Sequence, residues 1–308
     1  MNILTLDMED WCQSAPEVLL ASLRGNAPAP EPTARAVSNA RRLLDILDEH
    51  GIRATCFVLG SMAERFPMLV REIQGAGHEV ACHGYRHTPV YALSAGEFRS
   101  DLARARDVLE DAAGARVTGY RAPYFSVTPR TYWALEILAE SGFDYDSSFF
   151  PVHHGYYRVR GRKGAGGMPR FAHSIDYGCG RLLEVPATTL RIAGQNLPAA
   201  GGAYLGLLPF RMFRAAVRQS NRRGYPAVFY LHPHDLDAGA MAASGPGTSL
   251  PGGIARRGPL RGRRATEARL RLLLERFPFT SIREWMALAQ APVAEGRPKE
   301  PAPAVPVY

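Results

Sequence analysis

The stretch "RATCFVLGSMAERFPMLVREIQGAGHEVACHGYRH", residues 53–87, sets an apolar strand, a helix and a second apolar strand end to end. "ATCFVL" is a short continuous apolar run, the pattern of a strand buried on both faces. "SMAERFPMLVREIQGAG" reads as a helix. Ser61 and Glu64 can form a capping box there, and Pro67 bends or restarts the first turn. "HEVAC" reads as the next strand. Two strands joined through a helix lie parallel in one sheet. The residues that follow the second strand, "HGYRH", place His83 and His87 four apart at its end.

The same alternation runs along the chain. "ILTL" opens it as a strand. Val37, Ala40, Leu44 and Leu47 recur at helical spacing, and Gly51 stands where a helix C-terminus favours glycine. Ser94 and Glu97 form a second capping-box pair ahead of a stripe of Phe98, Leu102, Ala105 and Leu109. "VTGY" is a strand, Thr128 to Ser141 a helix, "FDYDSS" a strand end and "LLEVP" a strand. A helix over about 209–223 precedes the strand "AVFYL". A helix over about 266–276 precedes a closing strand "FTSI". Residues 161–167 and 238–262 read as loops. The segment 291–308 is Pro-rich and reads as a disordered tail. This pattern predicts an α/β protein of one domain over residues 1–290, with an extension from about residue 238. Its parallel sheet is either a barrel or a doubly wound sheet. In both, the working site gathers at the carboxyl ends of the strands.

The 308 residues are 46% hydrophobic, enough for a packed core, and no run approaches the ~20 apolar residues of a spanning helix. The opening "MNILTLDMED" lacks the basic leader of a signal peptide, so a cytoplasmic protein is expected. Four cysteines without CxxC spacing are read as reduced. The net charge is +8, and "ARRGPLRGRRATEARLR", residues 255–271, carries much of the excess. The plain reading is a solvated loop and helix. The other reading is peripheral contact with a membrane or a lipid-linked glycan. No aromatics interleave with these arginines, which argues against single-stranded nucleic acid as a partner.

Five polar clusters fall at strand ends: Asp7, Glu9 and Asp10; His83 and His87; "RAPY" from Arg121 to Tyr124; "DYDSS" from Asp144 to Ser148; and "HPHD" from His232 to Asp235. Two imidazoles and one carboxylate suit a divalent metal with positions left open for water and substrate. Such an ion lowers the pKa of its water toward ~7 and polarises a carbonyl. A second carboxylate can take a proton, an arginine beside it holds it ionised, and a further histidine can protonate a leaving amine. These are the parts for metal-assisted amide hydrolysis.

"TLDMEDW", "HGYRH", "GYRAPYF", "YDSSFFP" and "FYLHPHD", in that order, resemble the motifs of the polysaccharide deacetylases, carbohydrate esterase family 4, in the branch found with exopolysaccharide and exosortase gene clusters. The resemblance extends through "LLEVPATTL", "GGAYLGLLPF" and "TEARLRLLLERFPFTSIRE", to about Glu284. It implies a distorted (β/α)7-type barrel. It implies removal of N-acetyl groups from a sugar polymer with a divalent metal, zinc in most members and cobalt or iron in some. Carried over, Asp7 resembles the catalytic base, His83 and His87 the metal imidazoles, and Arg121 the residue that orients the base. The Tyr124 N–H helps hold the oxyanion, and His232 resembles the general acid. Asp146 is the candidate partner of His232.

Two departures stand out. Met8 occupies the place of a second aspartate that binds metal in many members, so the third ligand is Glu9 or Asp10. Residues two apart share a strand face, which favours Glu9. "HPHD" replaces the branch's "HPWE", putting His234 where an aromatic is usual. A hydrolase of cyclic ureides and a glycan-binding member without turnover are the rival readings.

Overall fold

β1 (Asn2–Met8) is buried along its whole length because it has parallel neighbours on both sides. β2 (Thr55–Val58) flanks one edge and β10 (Val228–Leu231) the other. Beyond β2 come β3 (Glu79–Cys82), β4 (Gly119–Tyr120), β5 (Tyr145–Asp146) and β7 (Arg181–Glu184), all parallel. β6 (His173–Asp176) adds an antiparallel edge, and β11 (Phe279–Thr280) pairs with the foot of β1. The computed structural model describes residues 1–13, 30–152, 168–237 and 257–290. The sheet curls into a half-barrel with helices on its outside, a single α/β domain.

A hairpin of β8 (Thr189–Ile192) and β9 (Gln195–Pro198) stands at the seam between β7 and β10. Both of its flanks are stitched to β10: Thr188 N–H donates to Val228 O at 3.1 Å and Tyr230 N–H to Ala200 O at 3.0 Å. Its two-residue turn, Ala193 and Gly194, has φ of 47° and 77°. Tight hairpins need that left-handed pair, and alanine adopts it only under strain.

Strand alternation sorts the side chains. Leu4, Leu6 and Met8 join the outer core under the helices, whereas Ile3 packs inside with Phe57, Ala81, Tyr145, Val185 and Val228. Ile282, backed by Trp285 and Met286, seals this apolar floor. A polar patch is set into this floor at the level of Thr5, against the helix Ile282–Gln290, whose Ile282 and Arg283 N–H groups donate to Thr55 Oγ1 and Glu79 Oε2. Buried Glu79 accepts from Thr55 Oγ1 at 2.6 Å and from the Tyr145 hydroxyl at 2.9 Å. Thr5 and then Asp7 continue upward on the side of Ile3.

The helices differ in detail from the sequence reading. The helix expected over 61–77 is two, α2 (Gly60–Arg65) and α3 (Pro67–Gly75), with Pro67 at the first position of the second, where its fixed φ fits. The Ser61–Glu64 box does not form. Leu59 is the N-cap, and Glu64 pairs with the Tyr85 hydroxyl. The Ser94–Glu97 box is present at the start of α4 (Ala95–Ala113). The other helices are α1 (Ala34–Glu49), α5 (Trp133–Glu140), α6 (Gly202–Leu207), α7 (Phe210–Asn221), α8 (Arg257–Arg276) and α9 (Ile282–Gln290). α8 thus begins inside the stretch read as loop, and only Phe279–Thr280 of "FTSI" is strand. The expectations for 161–167 and 291–308 lie outside the described residues. All four cysteines are free, Cys56 and Cys82 buried and Cys179 exposed. No helix among the described residues is long and apolar enough to cross a membrane.

Candidate functional site

β1 ends in a tight turn in which Glu9 N–H donates to Asp7 O at 3.0 Å, keeping both carboxylates at the rim. β3 ends at Cys82 and delivers His83. The chain then bends through Gly84 (φ 76°) and His87 (φ 59°), which turns the second imidazole back toward the first. His83 Nε2 lies 3.7 Å from Glu9 Oε2, and His87 Nε2 contacts the same oxygen. The three ligand atoms all fall within 4.8 Å of one another, and all three residues are buried.

The hydrogen bonds behind these residues fix what faces the centre. His83 Nδ1 stands 2.8 Å from Arg121 O and His87 Nδ1 3.2 Å from Gln13 O. A carbonyl only accepts, so each Nδ1 carries the hydrogen. Each Nε2 of a neutral ring then presents a lone pair. Two lone pairs and a carboxylate oxygen, with no hydrogen-bond donor for Glu9 Oε2, form a nest of acceptors. A cation satisfies such a nest. Backbone carbonyls behind ligating imidazoles are the usual supports of a metal site. These residues therefore fit a divalent ion.

Of the two acidic candidates, only Glu9 reaches the imidazoles. Asp10 accepts from Thr33 N–H at 2.8 Å and Thr33 Oγ1 at 2.6 Å, which ties it to the N-cap of α1. Glu9, His232 and His234 also cluster. The His232 and His234 rings, however, stack with 14° between their planes, so their lone pairs run side by side. The His83 and His87 rings are tilted by 58° and can converge.

Asp7 flanks the nest on one side. Fully buried Arg121 donates through Nη1 to Asp7 Oδ1 and Thr5 Oγ1, both at 2.7 Å. Its Nε donates to Ser147 O at 3.0 Å and its Nη2 to Ser147 Oγ at 2.8 Å. The guanidinium also lies 4.2 Å from the centroid of the Phe57 ring. It is thus held from four directions, and Asp7 with it.

His232 flanks the other side, with Nε2 3.4 Å from Glu9 Oε1 and 3.9 Å from Asp7 Oδ2. Its partner is not Asp146, as the sequence reading had it, but Asp235, whose Oδ2 lies 3.1 Å from His232 Nδ1 and also accepts from His232 N–H at 2.8 Å. Burial alone would lower the His232 pKa; Asp235, with Glu9 and Asp7 behind it, outweighs that and lifts it to about 9. Asp146 is instead buried below the rim and accepts from Ser148 Oγ at 2.5 Å; Ser148 Oγ in turn accepts from Ala122 N–H at 2.8 Å. Asp146 faces Glu184 across the β5–β7 register. Burial, and then the Asp146 charge, push the Glu184 carboxyl well up. This pair braces the strand end that carries Arg121.

Tyr124 is left-handed (φ 57°), as is Phe125 (φ 49°). With His87, this makes three strained non-glycine residues around one site, where such strain concentrates. The Tyr124 hydroxyl donates to Gln13 O at 2.8 Å, and its N–H makes no hydrogen bond among the described residues. One carbonyl, Gln13 O, thus steadies both His87 and Tyr124. Sequence reasoning missed Gln13 and the role of Asp235. The signal for Asp235 was its place three residues after His232, the spacing of a capping box. Gln13 acts through its backbone, for which the residue type gives no signal.

The rim of this α/β half-barrel thus carries a buried acceptor nest, a fixed carboxylate and a paired histidine. Residues 31–145 match the family described as "Polysaccharide deacetylase", and residues 147–287 match a "Domain of unknown function (DUF3473)". A peptidoglycan deacetylase of Helicobacter pylori is 34% identical over 119 residues, 39% of this chain and 40% of that one. A peptidoglycan-N-acetylglucosamine deacetylase of Bacillus cereus is 32% identical over 96 residues, 31% of this chain and 35% of that one. The chain therefore spans 35–40% of the length of these curated relatives. A solved structure from Mycobacterium smegmatis, assigned to the polysaccharide deacetylases, superposes with a TM-score of 0.59 at 21% identity, over 97% of this chain and 96% of that one. That likeness is one of fold. Over residues 31–145 the chain is thus similar to the polysaccharide deacetylases.

Proposed function

We propose that the protein is a metal-dependent hydrolase that removes N-acetyl groups from an N-acetylated glycan during exopolysaccharide production. The meeting of Glu9, His83 and His87 between Asp7 and His232 is the observation that carries this reading. The motif resemblance to the exopolysaccharide branch supports the setting. One carboxylate and two imidazoles suit zinc. A divalent ion bound there would polarise the acetamide carbonyl and acidify the attacking water.

The chain's own residues supply the rest. Asp7, held by Arg121, accepts the proton of the attacking water as the C–O bond forms. The free Tyr124 N–H donates to the oxyanion that develops on the carbonyl. His232, its Nδ1 fixed by Asp235, gives the Nε2 proton to the nitrogen as the C–N bond breaks. Acetate and a free amino sugar leave.

Acetate release from N-acetylglucosamine oligomers tests this reading. Release should stop with chelator and return with zinc. Zinc-loaded protein that frees no acetate from any N-acetylated oligomer would overturn it. Glu9→Gln should bind zinc at least ~10–100-fold more weakly, by metal titration, because it removes one of three ligands. Asp10→Asn should keep its zinc.

The pH profile tests the acid. His232 donates only as the imidazolium, so its raised pKa keeps it competent until the pH climbs through that value. Asp235→Asn removes the foremost raising charge. The alkaline limb of kcat/KM should then move to lower pH by about one unit or more. An unmoved limb would remove Asp235 from this role.

A further inference from the structure

On the outer side of α7, Arg211, Arg214, Arg218 and Arg222 follow one another at intervals of three, four and four residues, which sets them in a single row. Eleven residues of helix make that row about 16 Å long. Arg223 extends it. The opposite side of α7 is spent on the core through Phe213, Ala216 and Val217. The row lines a cleft of about 560 Å³ together with Leu190 of β8. Several surface arginines elsewhere are paired, Arg41 with Glu72, Arg42 with Glu267 and Arg99 with Glu140. Among the described residues, no carboxylate lies within 4.0 Å of any arginine in the row.

The positive charge continues past the helix. Half-buried Arg170 donates to Thr189 O at 2.8 Å and to Gln219 Oε1 at 2.7 Å. Burial, then Arg191 and Arg223, press its guanidinium below the ordinary range, so like charges crowd here without a counter-ion. Gln219 also clasps the hairpin, accepting from Arg191 N–H at 2.9 Å and donating to Arg191 O at 3.0 Å. Helix and hairpin are thus one rigid face.

Apolar side chains stand at both ends of the row. Ile192, two residues on from Leu190 and so on the same side of β8, is 51% exposed at the hairpin tip. Leu207, four residues before Arg211, is 53% exposed. A dissolved polyanion has no use for these exposed apolar residues. A bilayer surface offers phosphates for the row and a less polar boundary for its ends.

We propose that this face docks the protein on an anionic phospholipid bilayer, with the α7 arginines over headgroup phosphates and Ile192 at the headgroup boundary. The test is co-sedimentation of the full chain with vesicles of phosphatidylcholine alone and with about 30% phosphatidylglycerol added. Binding should appear only with the anionic lipid and fade near ~0.5 M salt. Arg214→Gln/Arg218→Gln should weaken it about tenfold or more. Ile192→Ser should weaken it severalfold. Thermal melts equal to wild type show that the variants fold; if one does not, the comparison of the two wild-type lipid arms still decides. Equal binding to both vesicles, or variants that bind like wild type, would overturn the proposal. So would capture of soluble polyphosphate without vesicle binding. No substrate is used, so the result stands apart from the deacetylase reading.

Discussion

Asp7→Asn should lower acetate release by about 10²–10⁴-fold while zinc content stays at the wild-type level. Asparagine keeps an oxygen to accept from Arg121 Nη1, so the rim stays assembled around it. What it loses is the capacity to take a proton from water. The acceptor nest is built from Glu9, His83 and His87 and does not include Asp7, so metal content separates loss of the base from loss of the site. Acetate assay and metal analysis on one preparation check this. Full activity in the variant would mean that another group takes the proton.

The second large effect concerns stability. Arg121→Leu should cost about 3–5 kcal/mol, because it leaves the Asp7 carboxylate buried without its counter-charge. It also removes the donor to Thr5 Oγ1 and Ser147 Oγ, and strands Ser147 O. For a chain of this size, that loss lowers the melting temperature by roughly 6–20 °C. The double variant Asp7→Asn/Arg121→Leu should melt higher than Arg121→Leu alone, because the orphaned charge is gone. A double variant that melts lower by the full sum of the single losses would show that the two side chains are not coupled. Arg121→Lys should not rescue, since one ammonium cannot reach Asp7, Thr5 and both Ser147 acceptors from a single stem.

The sequence made the centre legible because each contributor sits at the carboxyl end of an apolar run. "ILTL", "HEVAC", "VTGY" and "AVFYL" are buried on both faces, so their ends stand out from hydropathy alone. Glu9 was separable from Asp10 by strand alternation, and the structure brings Glu9, not Asp10, to the imidazoles. Three things were not legible. The β8–β9 hairpin turns on Ala-Gly rather than Asn-Gly, so its strands carried no turn signal. α8 starts at Arg257 within a glycine- and proline-containing stretch whose local composition argues for loop. Asp146 was matched to His232 through the family resemblance, yet Asp235 was nearer along the chain and closes a local turn with it. Rim position tells which residues can meet; a polar partner in the next turn tells which ones do.

The order of the strands has one more consequence. Glu9, His83 and His87 all belong to β1–β3 and their ends, whereas His232 follows β10, the other neighbour of β1. On the ribosome, the three acceptors therefore emerge 145 residues before the proton donor. At ~5–20 residues per second, that is a lag of roughly 7–30 s. A growing chain holds a place for the ion well before it holds a way to finish a turnover.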